Sequence, residues 1–166
     1  MARREKVTAV ELMAQLRQNP AYQARVAAQE EQRRKFHAEY ADEDAQLAAE
    51  ARTLGYDIKS VWDFVDSRPT PFDPPTFRGD YGRAYPMLVR HLALPHHHRV
   101  REGIIRALTV KDGGSVVSNA LYEQFTLEED ENLRWTLANA LLVAMPLKER
   151  KQHPEIAAMY RGKGAF

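Results

Sequence analysis

The sequence predicts an all-α protein, a short array of stacked helix pairs preceded by a long N-terminal helical arm. Three observations carry that expectation. First, the segments Val100 to Leu108 (VREGIIRAL) and Leu133 to Leu141 (LRWTLANAL) lie 33 residues apart and match by residue type, pairing Arg101 with Arg134, Ile104 with Leu137 and Ala107 with Ala140. Second, the preceding segments Pro86 to Leu94 (PMLVRHLAL) and Asn119 to Leu127 (NALYEQFTL) align at the same offset of 33. Agreement of two neighbouring helices at one period marks a helical array, in which each unit buries its apolar face on the next. Third, Ala21 to Leu54 contains no glycine or proline and is dominated by Ala, Gln, Glu and Arg, residues compatible with a long helix.

From the N-terminus, Thr8-Ala-Val-Glu11 has capping-box spacing and opens a first helix whose apolar face is Val10, Met13 and Leu16, with Leu12 beside them. Asn19-Pro20 supplies a new cap and a proline at the first helical position, where the missing N–H costs nothing. If continuous to Leu54, the second helix is about 50 Å long at 1.5 Å per residue. Its second half has a stripe to bury in Tyr40, Leu47 and Leu54, with Phe36 and Ala51 alongside. The stretch Gln29 to Lys35 (QEEQRRK) is wholly polar, and reads either as a solvated face or as a segment awaiting a partner.

Gly55 closes this helix, because glycine tolerates the left-handed terminal conformation. Ser60-Val-Trp-Asp63 opens a short helix to Val65, with Trp62 expected as an apolar plug between arm and repeats. Asp66 to Asp80 (DSRPTPFDPPTFRGD) has four prolines and is a loop, pinned by Phe72 and Phe77. Each repeat unit is then a helix, a polar turn and a second helix. The turns are His96-His-His-Arg99 and Glu129-Asp-Glu-Asn132, Lys111-Asp-Gly-Gly114 joins the units, and Met145-Pro146 ends the second. Pro154 to Tyr160 supplies a terminal half-unit as a lid, followed by a loose tail in which Phe166 is free to dock. The expected organisation is an arm at 1–54, a short helix and Pro-rich connection at 55–83, and the repeat domain at 84–166.

Charge is segmented along the chain. Residues 1–37 carry eight Lys/Arg and four Asp/Glu, net +4, whereas residues 38–66 carry two and eight, net −6. The total of +1 gives no global argument for nucleic acid or an anionic membrane. The absence of cysteine excludes disulfides, thiolate metal sites and a cysteine nucleophile, and makes the cytoplasm the expected compartment. The apolar runs are too short for a signal peptide or a membrane span, so no membrane partner is expected.

The two second-helix segments, VREGIIRAL and LRWTLANAL, resemble the HEAT repeat, whose second helix runs from a branched apolar residue and Arg through apolar positions to Ala-Leu. The resemblance covers residues 84–145, about two units, and the whole layout also looks like small uncharacterised bacterial and phage proteins. It implies a binding scaffold in which Val100, Ile104, Ala107 and Leu108 point inward, as do Leu133, Leu137, Ala140 and Leu141. It also implies that Arg101 and Arg134 brace adjacent repeats. The opposite helix faces carry Glu102 and Arg106 in one unit and Trp135 and Asn139 in the next, and these four are the candidate partner-binding residues. Trp135 reads either as a binding anchor or as packing against a neighbouring helix.

Other chemistry is weighed against simpler readings. His96, His97 and His98 with His91 suggest zinc, but three adjacent histidines cannot converge on one ion, and a polar turn capping the next helix accounts for them. Glu128 to Glu131 sit where anions favour a helix N-terminus. Asp112-Gly-Gly-Ser115 lacks the lysine of a phosphate loop, and neither a serine nucleophile elbow nor a His-Glu-x-x-His helix occurs. Some HEAT-like proteins are DNA glycosylases or bilin lyases; Trp135 with Glu102 echoes the former, without the basic surface DNA requires. The expectation is a non-catalytic, cofactor-free protein-binding adaptor or inhibitor, with toxin immunity or phage–host interference among its uses. Two alternatives stand beside it. One is a nucleic-acid-binding accessory protein using Arg3, Arg4, Arg33, Arg34 and Lys35, and the other is an assembly protein that self-associates through the N-terminal helix.

Overall fold

The computed structural model describes residues 8–65 and 79–162, and among them all regular structure is helical. The Pro-rich loop expected at 66–80, except Gly79 and Asp80, lies outside the described residues, as do Arg3, Arg4 and Phe166. The chain divides into two compact units, residues 1–39 and 40–166.

The first unit is a helical hairpin of α1 (Ala9–Gln18) and α2 (Pro20–Ala38). Both starts follow from local chemistry. Thr8 and Glu11 close a capping box, with the Thr8 N–H donating to the Glu11 carboxylate at 2.9 Å, and these bonds hold that carboxyl below its ordinary value. The Asn19 side chain accepts from the N–H groups of Ala21 and Tyr22 at 3.0 and 3.2 Å, and Pro20 needs no donor. Leu16, Tyr22 and Val26 are half-buried between the helices, but neither helix fully buries a residue.

The glycine- and proline-free stretch is not one helix. It breaks at Glu39 and Tyr40, so the expected arm of residues 1–54 is cut, and α3 (Ala41–Thr53) belongs to the second unit. Two causes are visible. Asp42, Glu43 and Asp44 fill the first turn of α3, where negative charge favours a new N-terminus. Tyr40, with φ −127° and ψ 2°, leaves helical geometry while its ring stacks on His97 at 5.2 Å. The expected stripe is buried at Leu47 and Ala51, joined by Ala48, with Tyr40 and Leu54 packed at its margins, whereas Phe36, on α2 before the break, is exposed. Gly55 then turns the chain with φ +92°.

The 3-10 turn Val61–Phe64 forms as its capping residues predict, with Ser60 accepting from Trp62 and Asp63 accepting from Lys59 and Ser60. The buried Asp44 carboxylate receives the Val61 N–H at 2.9 Å, which ties this turn to α3. Val61 and Phe64 enter the core.

Four helices follow: α4 (Tyr85–Leu92), α5 (His98–Ala107), α6 (Gly114–Leu127) and α7 (Glu131–Ala144). The 33-residue spacing is reproduced in the starts of α5 and α7 and in their capping residues, His97 and Asp130. His97 accepts from the Arg99 N–H through Nδ1, and Asp130 accepts from Asn132 and Leu133 at 2.8 and 2.9 Å. Helix α4 packs on α5 and α6, α5 on α7, and α6 on α7. All eight positions expected to point inward are buried, from Val100, Ile104, Ala107 and Leu108 to Leu133, Leu137, Ala140 and Leu141. The aligned pair Leu94 and Leu127 is exposed in both units.

The unit ends with α8 (Leu147–Arg150), a single turn, and α9 (Pro154–Gly162). Helix α9 packs on α7 and buries Ile156, covering the end of the helix stack as expected of a lid. Asp130→Ala removes the acceptor for two N–H groups of α7 and is expected to cost about 0.5–2 kcal/mol, measured by denaturant unfolding.

The two aligned arginines differ. Arg101 bridges elements, donating to Glu128 at 3.1 Å, to Gln124 at 2.9 Å and to the Leu92 carbonyl at 3.3 Å. Arg134 is exposed, with its guanidinium 5.1 Å from the centre of the Phe125 ring, and is not the expected second brace. The reason is readable in the sequence: moving Gln124 forward by 33 gives Ala157, which offers no side-chain acceptor.

Candidate functional site

Arg99, Glu102 and Arg106 occur at i, i+3 and i+7 on α5, so they share one face, beside the buried Gly103 and away from Val100, Ile104, Ala107 and Leu108. Glu102 accepts from Arg99 and from Arg106, each at 2.9 Å, one through each carboxylate oxygen. The row lies against Trp62. The Arg99 guanidinium sits 3.7 Å from the centre of the indole ring, and that of Arg106 sits 6.0 Å away.

Gly103 makes this arrangement possible. A Cβ there would lie 2.5 Å from Val61 Cγ1 and 3.0 Å from Trp62 Nε1, so only glycine lets the 3-10 turn approach α5 this closely. The position 33 residues on, in α7, is Thr136, which is buried and donates to the Asn132 carbonyl at 2.9 Å. The pair-to-pair contact therefore differs from the contact with the turn. The buried indole N–H of Trp62 has no hydrogen-bond partner among the described residues. Trp62 is thus not simply the apolar plug expected from its neighbours: one edge packs on Gly103 and one face carries a guanidinium.

The four expected site residues are all half-buried: Glu102 and Arg106 on α5, and Trp135 and Asn139 on α7, which packs beside it. The structure joins Glu102 with Arg106 in one ion-paired row and adds Arg99 and Trp62 to it. Sequence reasoning passed over Arg99, although its spacing to Glu102 and Arg106 around a helix-internal glycine was a usable signal. With side chains 22–39% exposed, each ion pair contributes at most about 1 kcal/mol; their main effect is to fix side-chain positions.

The basic residues of the nucleic-acid reading, Arg33, Arg34 and Lys35, are exposed on α2. Arg34 and Lys35 both pair with Glu31, which offsets part of their charge. Arg33 lines a shallow open groove with Gln29, Gln32 and Phe36.

The histidine-rich turn is more than a cap. His91 at the end of α4 and His96 in the turn bring Nδ1 and Nε2 to 3.1 Å. The other ring nitrogen of each meets an α3 carboxylate, His91 Nε2 with Glu50 at 2.9 Å and His96 Nδ1 with Glu43 at 3.2 Å. The His97 N–H also donates to Glu43 at 2.9 Å, and Arg90 pairs with Glu50. Among the described residues no group of three or more His, Asp or Glu side chains is placed to hold a metal ion.

These bonds hold two carboxyls below their ordinary range. For Glu43 the main cause is the His97 N–H, and for Glu50 it is the hydrogen bond from Arg90, followed by that from His91. A lowered carboxyl contributes stability above its unfolded value and loses it as pH falls through the lower folded value. The urea midpoint is expected to drop as pH falls below about 4.5, and to drop less in Glu50→Gln. Both carboxylates are more than a third exposed, so the difference is modest.

Burial pushes the Tyr81 hydroxyl to about 12 while it donates to the Ala107 carbonyl at 2.9 Å. Burial and the bond to Asp112 push Tyr85 up as well. No helix among the described residues is long and apolar enough to cross a membrane. Comparison with protein families, curated proteins and solved structures finds no match to this chain.

Proposed function

We propose that residues 84–145 form two HEAT-like units and that the protein is a non-catalytic adaptor or inhibitor that binds another protein through the outer α5–α7 face. The observation that carries this reading is the ordered strip on α5, where Arg99, Glu102 and Arg106 are locked together over the Trp62 ring. Trp135 and Asn139, both half-buried on the adjoining α7, are the other two residues assigned to this face. Tryptophan and arginine are the side chains that most often anchor interfaces. Side chains already held in place lose less freedom on binding, which favours a preformed surface over a mobile one. The mechanism is occlusion or bridging by this surface, with no covalent step.

The α2 cations support the nucleic-acid alternative less well, since Glu31 engages two of the three. The test is an affinity capture comparing wild type with Trp135→Ala and Arg106→Glu. Recovery of the same partner is expected to fall at least about tenfold in both, the effect of losing one interface anchor. Undiminished recovery in both would place the interface elsewhere.

A further inference from the structure

We infer that the His91–His96 pair binds one shared proton, and that this proton latches α3 to the α4–α5 turn. The argument is a count of ring protons. Carboxylates only accept hydrogen bonds, so the contacts with Glu50 and Glu43 require protons on His91 Nε2 and His96 Nδ1. The remaining nitrogens face each other at 3.1 Å, a contact that needs one further proton between them. Three protons on two rings make one imidazole and one imidazolium. Two neutral rings holding both carboxylates would set lone pair against lone pair, and two charged rings would set N–H against N–H.

Charge points to the same state. The groups facing the pair are Glu43 and Glu50 from α3, Arg90 from α4, and His97 in the turn, which contributes its backbone N–H, stacks on Tyr40 and lies tilted against His98. Two carboxylates against Arg90 and a single shared proton leave the cluster without net charge. The two rings are only 13% and 11% exposed, so an uncompensated charge there is costly. The sequence separation of Glu43 and Glu50 from the histidines makes the latch a tertiary tie across the α4–α5 turn.

Raising the pH removes the shared proton, which comes from and returns to solvent. Above the ordinary histidine value of about 6.5, where the unfolded rings have lost their protons and the folded pair keeps its one, the folded chain binds one more proton than the unfolded chain, and stability falls as pH rises. This is opposite in sign to the acid-side loss from Glu43 and Glu50.

The direct test is side-chain nitrogen NMR on the histidine-labelled full chain at about pH 7, with a chelator present. The expected result is one protonated and one neutral ring in the pair. Two neutral rings overturn the proposal, and so does a pair whose signals change on chelation and return with zinc, which would make it a metal chelate. Stability gives a second reading that does not depend on assigning spectra. The folding advantage of wild type over His96→Gln is expected to shrink between about pH 7 and pH 9. An advantage that stays constant across that range overturns the proposal.

Discussion

Gly103→Val is expected to destabilise the second unit by at least about 3 kcal/mol, lowering its melting temperature by roughly 10 °C. Removing a helix-interior glycine would ordinarily gain about 1 kcal/mol from reduced chain entropy and better propensity. Here the first added atom already stands 2.5 Å from Val61 Cγ1 and 3.0 Å from the Trp62 indole nitrogen. Val61 is fully buried and its N–H is held by Asp44, so the turn has little room to retreat. The steric cost outweighs the propensity gain, which decides the sign. Combining the milder Gly103→Ala with Val61→Ala is expected to recover part of the loss, because the two share one contact. Thermal unfolding of the single and double variants measures it, and full additivity would show that the close approach is not the cause.

Phe125→Ala is expected to cost about 3–5 kcal/mol, a large share of the 5–15 kcal/mol that holds a typical domain together. Phe125 is 1% exposed on α6, the helix that packs against both α4 and α7. Truncation leaves a cavity at the junction of the two helix pairs and removes the ring beneath the Arg134 guanidinium. Urea unfolding followed by circular dichroism checks the magnitude. The aligned residue, Leu92, is as buried, and Leu92→Ala is expected to cost less because fewer atoms leave the core.

Features set by neighbouring residues were legible in the sequence. The capping signals at Thr8, Asn19 and Ser60 all act locally and all form. The 33-residue offset located α5 and α7, and the eight inward positions that the HEAT resemblance implied are all buried. The break at Tyr40 was missed because no glycine or proline marks it. Its local sign, three acidic residues opening α3, resembled the charged face of a longer helix. The other contributor, a ring contact of Tyr40 with His97, comes from far along the chain.

The site was legible in part for the same reason. Glu102 and Arg106 follow from helix periodicity, whereas the approach of Trp62 depends on Gly103 meeting a turn from another part of the chain. The histidines were visible as a group, and His97 does cap α5. The carboxylates that complete the His91–His96 pair lie on α3, where no spacing rule connects them to the turn.

The central claim is that the outer α5–α7 face reads a protein partner. Hydrogen exchange of the chain alone and with its captured partner bears on it most directly. The account predicts that binding slows exchange across 99–106 and 135–139, with α1 and α2 unchanged. Protection confined to α1 and α2, with those two segments unchanged, would contradict it.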